Sequence, residues 1–457
     1  MSIVQPIINP IVQPVVRGIS GLDGGAETDF VFTIATTGAA ETFTIPCQDV
    51  GTFDAVVDWG DGSESTITAY NDADLAHEYA SAGDHQIRIS GTFPNIYFND
   101  SGDKLKLKSV ENLGVVGWLT LDSAFFGCSN LTTFVSGNAD ISAVTTLAST
   151  FRGCTSMTTP PDVSGWDTSS VTNLDTTFYF CTSMTTPPDV SGWDTSSVTS
   201  LSSTFSDCSS MTSPPDVSGW DTSSVTNLSV TFRDCSSMTT PPDVSGWDTS
   251  SATNLSFTFY NCSSMTTPPD VSGWDTSSVT TLRDTFRDCV NMTTPPDVSG
   301  WDTSSVTNLS STFSGCFNMT SPPDVSGWDI SAVTTLRATF SGCSNMTTPP
   351  DVSGWDTSSV TSLGLTFYNC SGIVGDIEIS GWDIGSVTDA ELFMRSADGA
   401  LSTAEYDATL IAWEAQTEQA DVLVHFGDAT YTAGGAAAAA HAALEANGWV
   451  ITDGGTA

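Results

Sequence analysis

A 27-residue unit, written in register over more than half of the chain, limits what this sequence can fold into more than any other feature. One clean copy, starting at Val171, reads VTNLDTTFYFCTSMTTPPDVSGWDTSS. Cysteine recurs at Cys154, Cys181, Cys208, Cys235, Cys262, Cys289, Cys316, Cys343 and Cys370, and Cys128 precedes the series by 26 residues. Tryptophan keeps the same interval at Trp166, Trp193, Trp220, Trp247, Trp274, Trp301, Trp328, Trp355 and Trp382. A fixed period of this size marks a stack. Each unit is too small to bury its own apolar face and completes a core only against its neighbours. Function is therefore expected on the surfaces of the stack, since no catalytic motif stands out in the sequence.

Within the copy from Val171, the residues Val171, Leu174, Phe178 and Cys181 fall at helical spacing, which predicts a short helix from near Ser169 to Phe180. Asp167, Thr168, Ser169 and Ser170 precede it and are good N-cap or first-turn residues. Pro187 and Pro188 forbid helix and impose an extended path. Asp189-Val190-Ser191 then reads as one short strand, and Gly192 lets the chain turn. Stacking would place these strands ~4.8 Å apart in a parallel sheet, with the helices on the other side. The expected fold class is an α/β solenoid with one short strand and one short helix per 27-residue turn.

The charge balance narrows the partners. The chain carries 53 acidic and 11 basic residues, a net charge of −42. Nucleic-acid binding needs a basic footprint and is not expected. Anionic membranes are disfavoured, and no apolar run approaches the ~20 residues of a membrane span. The segment MSIVQPIINPIVQPVVRG lacks the basic start of a secretion signal, and its prolines interrupt the apolar stretch.

Four regions follow in order. In residues 1–27, prolines every four residues suggest an extended, polyproline-like arm. Its apolar residues Ile3, Val4, Pro6, Ile7, Ile8, Pro10, Ile11 and Val12 suit docking on another protein, although a disordered tail is the plainer reading. The arm resembles the N-terminal peptides of some tailed-phage virion proteins, which have similar Asn-Pro-Ile repeats. Residues 28–103 read as short β-strands of a β-sandwich. Val57-Asp58-Trp59-Gly60-Asp61-Gly62, then His77-Glu78-Tyr79, then Gly83-Asp84-His85-Gln86-Ile87 resemble the polycystic-kidney-disease-type domain, with Gln86 in place of an aromatic. That resemblance implies an interaction or spacer module. Asp58, Asp61 and Glu64 are the residues here able to hold Ca²⁺, the one cofactor the sequence suggests, though turn formation is the commoner role of such carboxylates.

Residues 104–397 carry the repeats, with Leu105, Leu107 and Val110 opening as a strand and Trp118, Leu121, Phe125 and Cys128 as the first helix face. Residues 398–457 read as a small α/β cap. It comprises a helix over Thr403–Gln416 capped by Ser402, a strand VLVHF, an Ala-rich helix ending at Gly448, and a strand WVIT. The repeat resembles the bacterial surface-protein repeat, a relative of leucine-rich repeats, through Trp193-Asp194-Thr195-Ser196, Val198-Thr199, Leu201, Phe205 and Cys208. The family's unit is one residue shorter and has a leucine where Pro-Pro stands here. The resemblance implies a leucine-rich-repeat-like fold and a role in extracellular recognition or adhesion.

Three residue sets invite a chemical reading. The in-register cysteines include no CxxC pair and are best read as a buried ladder of thiols rather than metal ligands or disulfides. Asp194 and its counterparts read as helix caps. Asp162, Asp189, Asp216, Asp243, Asp270, Asp297, Asp324 and Asp351 alternate with inward valines and should face outward. Carboxylates in a row repel one another. Solvent, backbone hydrogen bonds or bound cations must offset this, which leaves a structural role and a cation or ligand face both open. Glycoside hydrolysis needs two carboxylates in different environments, which identical copies do not supply. The expected function is non-enzymatic: a phage virion structural protein (tail fibre, tail tip or head decoration) that recognises or adheres to the host surface. Its partners would be other virion proteins through the arm and a host-surface glycan or protein, with a homo-oligomer by analogy with fibres. A bacterial cell-surface adhesin is the alternative, and a polysaccharide-degrading enzyme the lower one.

Overall fold

The computed structural model describes residues 28–457. The docking arm with Ile3, Val4, Pro6, Ile7, Ile8, Pro10, Ile11 and Val12 lies outside the described residues.

The N-terminal region is built from alternating sequences that bury one face. Its strands are β1 (Phe30–Thr36), β2 (Glu41–Thr44), β3 (Asp54–Asp58), β4 (Glu64–Ile67), β5 (Ala76–Tyr79), β6 (Gly83–Thr92), β7 (Leu107–Asn112) and β8 (Thr133–Phe134). Six of them form one sheet in the order β4-β3-β6-β1-β7-β8, and β2 pairs with β5. Phe30, Phe32 and Ile34 of β1 are fully buried beneath it. Trp59 anchors the turn after β3: its indole donates to Ser65 Oγ at 3.0 Å, and the Tyr79 hydroxyl donates to its carbonyl at 3.0 Å. Gly60, at φ +78°, passes so close to the Gln86 carbonyl that a Cβ would lie 2.3 Å from it. All the pairings up to β7 are antiparallel, whereas β7 and β8 pair in parallel. That change of direction begins the stack.

From there the chain winds as an open stack of 27-residue coils. The expected α/β solenoid of one strand and one helix per turn is not formed. Regular structure among the described residues is mostly strand, and the only two α-helices both lie beyond residue 402. The segment 169–180 is a run of tight turns, not a helix, as is the segment from Leu121 to Cys128. Thr177, Tyr179 and Cys181 donate to the carbonyls of Leu174, Thr176 and Phe178, while Leu174, Thr176, Phe178 and Phe180 donate to Ser200, Ser202, Thr204 and Ser206 in the next coil. Alternate amides thus leave the segment, which a helix does not allow. The alternation requires left-handed residues, Thr176 at φ +55° and Phe180 at φ +62°.

The Asp-Val-Ser strands are also absent, with one exception: Asp162 bridges Val135 and so prolongs the β8 line for one coil. Pro187 and Pro188 and their equivalents lack the amides a ladder would need. The parallel bridges run instead through Thr146, Asn173, Ser200, Asn227 and onward to Asp389.

Magnitudes show why this arrangement wins. Left-handed backbone costs roughly 1–2 kcal/mol per residue. Net hydrogen-bond gains of about 0.5–1.5 kcal/mol each are of the same order. Burial decides: Val171, Leu174, Phe178, Cys181, Met184, Val190 and Trp193 are all buried in one coil, and large apolar side chains contribute roughly 1.5–3 kcal/mol apiece. Successive tryptophans stack in parallel, Trp193 on Trp220 at 6.4 Å and 1°. The polar atoms of this core are satisfied between coils. Trp193 Nε1 donates to the Val163 carbonyl at 3.1 Å, Thr177 Oγ1 to Leu147 at 3.1 Å, and Cys181 Sγ to Phe151 at 3.1 Å.

The C-terminal region contains α1 (Thr403–Glu414), β9 (Leu423–His425), β10 (Thr430–Tyr431), α2 (Gly435–Ala446), β11 (Val450–Thr452) and β12 (Gly455–Thr456). Strands β9 and β11 pair in parallel, as do β10 and β12. Ser402 caps α1 by accepting from the Glu405 amide. Glu405 reaches back to the amides of Ile379 and Ser380, and Trp413 Nε1 donates to the Ile379 carbonyl, which fastens α1 onto the last coil.

Candidate functional site

The stack presents two contrasting surfaces. The first carries the predicted acidic columns. Asp162, Asp189, Asp216, Asp243, Asp270, Asp297, Asp324 and Asp351 are all exposed. Each turns back on its own loop: Asp189 Oδ1 accepts from the Ser191 amide at 3.2 Å and hydroxyl at 2.7 Å, and the other copies repeat the hydroxyl bond. Asp194 and its counterparts do not cap helices. They close turns, with Asp194 Oδ1 accepting from the Ser196 amide at 3.0 Å and hydroxyl at 2.6 Å. The Ser hydroxyl is the chief reason that Asp194, Asp221, Asp248, Asp302 and Asp329 sit below the usual carboxylate pKa, with the Ser amide adding to it.

Among the described residues no group of three or more His, Cys, Asp or Glu is arranged to hold a metal ion. Asp58 accepts from the Gly60 amide. Asp61 is engaged by Ser63 and by His77 Nε2 at 2.8 Å, contacts that bring its pKa down to about 2, the Ser63 hydroxyl contributing most. The ten in-register cysteines are buried and free, and burial pushes the Cys181 thiol up to about 12.

The second surface was not singled out from the sequence, although a signal was there. Most of the unit is copied unchanged, and the differences fall largely between the leucine and the cysteine. Two residues before the cysteine, or its equivalent, successive coils carry Phe126, Arg152, Tyr179, Ser206, Arg233, Tyr260, Arg287, Ser314, Ser341, Tyr368 and Arg395. Stacking brings them into one column of arginine, aromatic and serine. Arg152 lies over the Phe126 ring at 4.5 Å and the Tyr179 ring at 5.1 Å, while Arg233 and Arg287 flank Tyr260 at 5.5 and 5.6 Å. The next residue in every coil is left-handed, from Gly127 at φ +78° to Ser396 at φ +62°. Gly, Asn and Asp fill that position except at Phe180 and Ser396.

Where this column meets the N-terminal sheet it opens into a cleft of about 370 Å³ lined by Asp100, Lys104, Phe126, Gly127, Ser129, Arg152, Gly153, Thr155, Tyr179 and Phe180. Lys104 is paired with Asp100. A second cleft of about 560 Å³ lies nearby, with Glu41, Lys106, Lys108 and Asn130 in its wall.

Comparison with known proteins bears on the repeats. No curated protein matches the chain. The crystal structure of a leucine-rich repeat protein from Bacteroides ovatus is similar at a TM-score of 0.38 and 13% identity, over 82% of this chain and 100% of that one. The family described as "Mycoplasma protein of unknown function, DUF285" matches residues 119–236, 179–296 and 290–406, which together span more than half of the sequence. The chain therefore belongs to this DUF285 repeat family.

Proposed function

We propose that this protein is a non-enzymatic recognition component of a phage virion, a tail fibre, tail tip or head decoration that contacts the host surface. One observation carries the recognition part. The stack holds a near-constant scaffold, and its variation falls largely between the leucine and the cysteine, where one mostly half-buried column carries Arg, Tyr, Phe and Ser, side chains enriched at binding surfaces. A rigid repeat array with a varied face suits an extended partner such as a host glycan or protein. The proline-spaced arm supports the virion part by its resemblance to virion peptides, with other virion proteins as its partners. The N-terminal sheet, whose motifs resemble the polycystic-kidney-disease type, would serve as spacer.

The second reading is a bacterial cell-surface adhesin, and the family description, Mycoplasma protein of unknown function, supports only its bacterial part. Mass spectrometry of purified particles and of washed cell envelopes, with and without residues 1–20, separates the two. Peptides at fixed stoichiometry in particles, lost on removal of the arm, are expected. Peptides confined to the envelope would leave the adhesin.

A further inference from the structure

We propose that the cleft between the N-terminal sheet and the first coils binds a carboxylate-bearing sugar residue of a surface glycan. The inference deepens the recognition reading above and rests on it. Two observations single out this place in the column.

The first is Arg152. Arg233, Arg283, Arg287 and Arg337 each have an aspartate carboxylate within 2.9–3.3 Å. Neither Arg152 nor Arg395 makes an ion pair among the described residues, and of the two only Arg152 lies against aromatic rings. Its guanidinium carbon lies 4.5 Å from the Phe126 ring centroid and 5.1 Å from that of Tyr179, contacts that position the group without neutralising its charge. Lys104 and Asp100 cancel one another, so the net charge of the cleft lining is that of Arg152. A planar guanidinium with its donors unspent matches a carboxylate through two parallel hydrogen bonds.

The second is Phe180. Its position in the coil is left-handed, and the other coils fill it with Gly, Asn, Asp or, once, Ser. Phe180 holds φ +62° with 45% of its surface exposed, so neither backbone preference nor core burial accounts for a phenyl ring there. Val230, Phe257 and Leu365 hold the same backbone at the coil's other left-handed position, so it is the exposure of the Phe180 ring beside a cleft that fits a ligand contact. Phe180 and Tyr179 have ring centroids 6.1 Å apart at 37° and offer a platform for the apolar face of a pyranose. Ser129 and Thr155 stand in the same wall with hydroxyls for the sugar. The volume lies within the range of small-molecule sites. The chain's negative charge does not forbid an acidic sugar: at physiological salt, charges farther than about 8 Å are largely screened, and the local guanidinium decides.

The test uses the full chain and calorimetric titration with an oligogalacturonate, an oligosialate and the carboxyl-reduced form of each. We expect at least one acidic oligosaccharide to bind at least about tenfold more tightly than its reduced counterpart. Arg152→Gln should abolish that preference. Phe180→Gly, which keeps the left-handed backbone and removes only the ring, should weaken binding about tenfold with no loss of thermal stability. Equal affinity for acidic and reduced forms, no binding of either acid, or unchanged binding by Phe180→Gly would overturn the proposal. Uronate against sialate preference identifies the source of the carboxylate. Titration of the purified protein is independent of particle association. A protein that binds the acid but is absent from particles therefore refutes the virion reading alone, and a particle protein that binds neither acid refutes only this site.

Discussion

Single residues in this protein are chosen by backbone conformation as much as by contact. The two left-handed positions per coil allow alternate amides to reach the neighbouring coil, and glycine serves where a neighbour crowds the backbone. At Gly315, φ is +74° and an added Cβ would lie 2.1 Å from Asp288 Oδ1. Gly315→Ala is therefore expected to destabilise the protein by about 1–3 kcal/mol, read from urea midpoints, whereas Ser314→Ala next to it should change stability by less than about 0.5 kcal/mol. Equal effects would mean that the left-handed column is not where strain is held. At this scale the sequence was read well where burial alone decides. Cysteines in register with no CxxC partner became buried thiols. It was read less well for Asp194, because an aspartate followed by Thr-Ser caps a turn with the same residues it would use to cap a helix.

The coil is the element that periodicity misjudged. Leu174, Phe178 and Cys181 lie at intervals of four and three, which fit one helix face and fit equally a run of tight turns that points every third or fourth residue inward. In isolation an α-helix satisfies its own amides. In a stack, a neighbour offers carbonyls at 26-residue intervals, as from Leu174 to Ser200 and from Phe178 to Thr204. Stability is then shared across interfaces, so the unit of tolerance is one whole period. Deleting residues 198–224 should leave a single cooperative thermal transition near that of the parent. Deleting 198–223 should lower and broaden it, because every column beyond the cut is shifted by one residue. Equivalent melting curves would show that the columns do not hold the stack in register. The irregular first link illustrates the cost. Trp166 follows its own Pro160-Pro161-Asp162-Val163-Ser164, but the coil before it lacks that sequence, and its buried indole nitrogen is without a partner.

For the whole molecule, charge is the dominant unbalanced force. A net charge of −42 is spread over a chain whose exposed aspartates recur coil after coil. Raising NaCl from 10 mM to 150 mM contracts the Debye length from about 30 Å to about 8 Å, and Tm should rise with it. If CaCl₂ at matched ionic strength raises Tm further, the acidic columns bind cations. If the two salts act alike, screening and the Ser hydroxyls suffice. A Tm insensitive to salt would show that the columns do not strain the fold.

The sequence by itself determined the period, the identity of the core residues, the exposure of the acidic columns and the family of the repeats. It determined these because a strict repeat makes each position's neighbour the same position one unit away. Tertiary structure alone decided that the coil has neither strand nor helix. It also brought Arg152, Tyr179 and Phe180 to one cleft with Lys104. The physical reason is common to both. Whether an amide bonds within its own coil or to the next, and which side chains from different regions share a surface, depends on what lies alongside, and a linear pattern does not contain that neighbour.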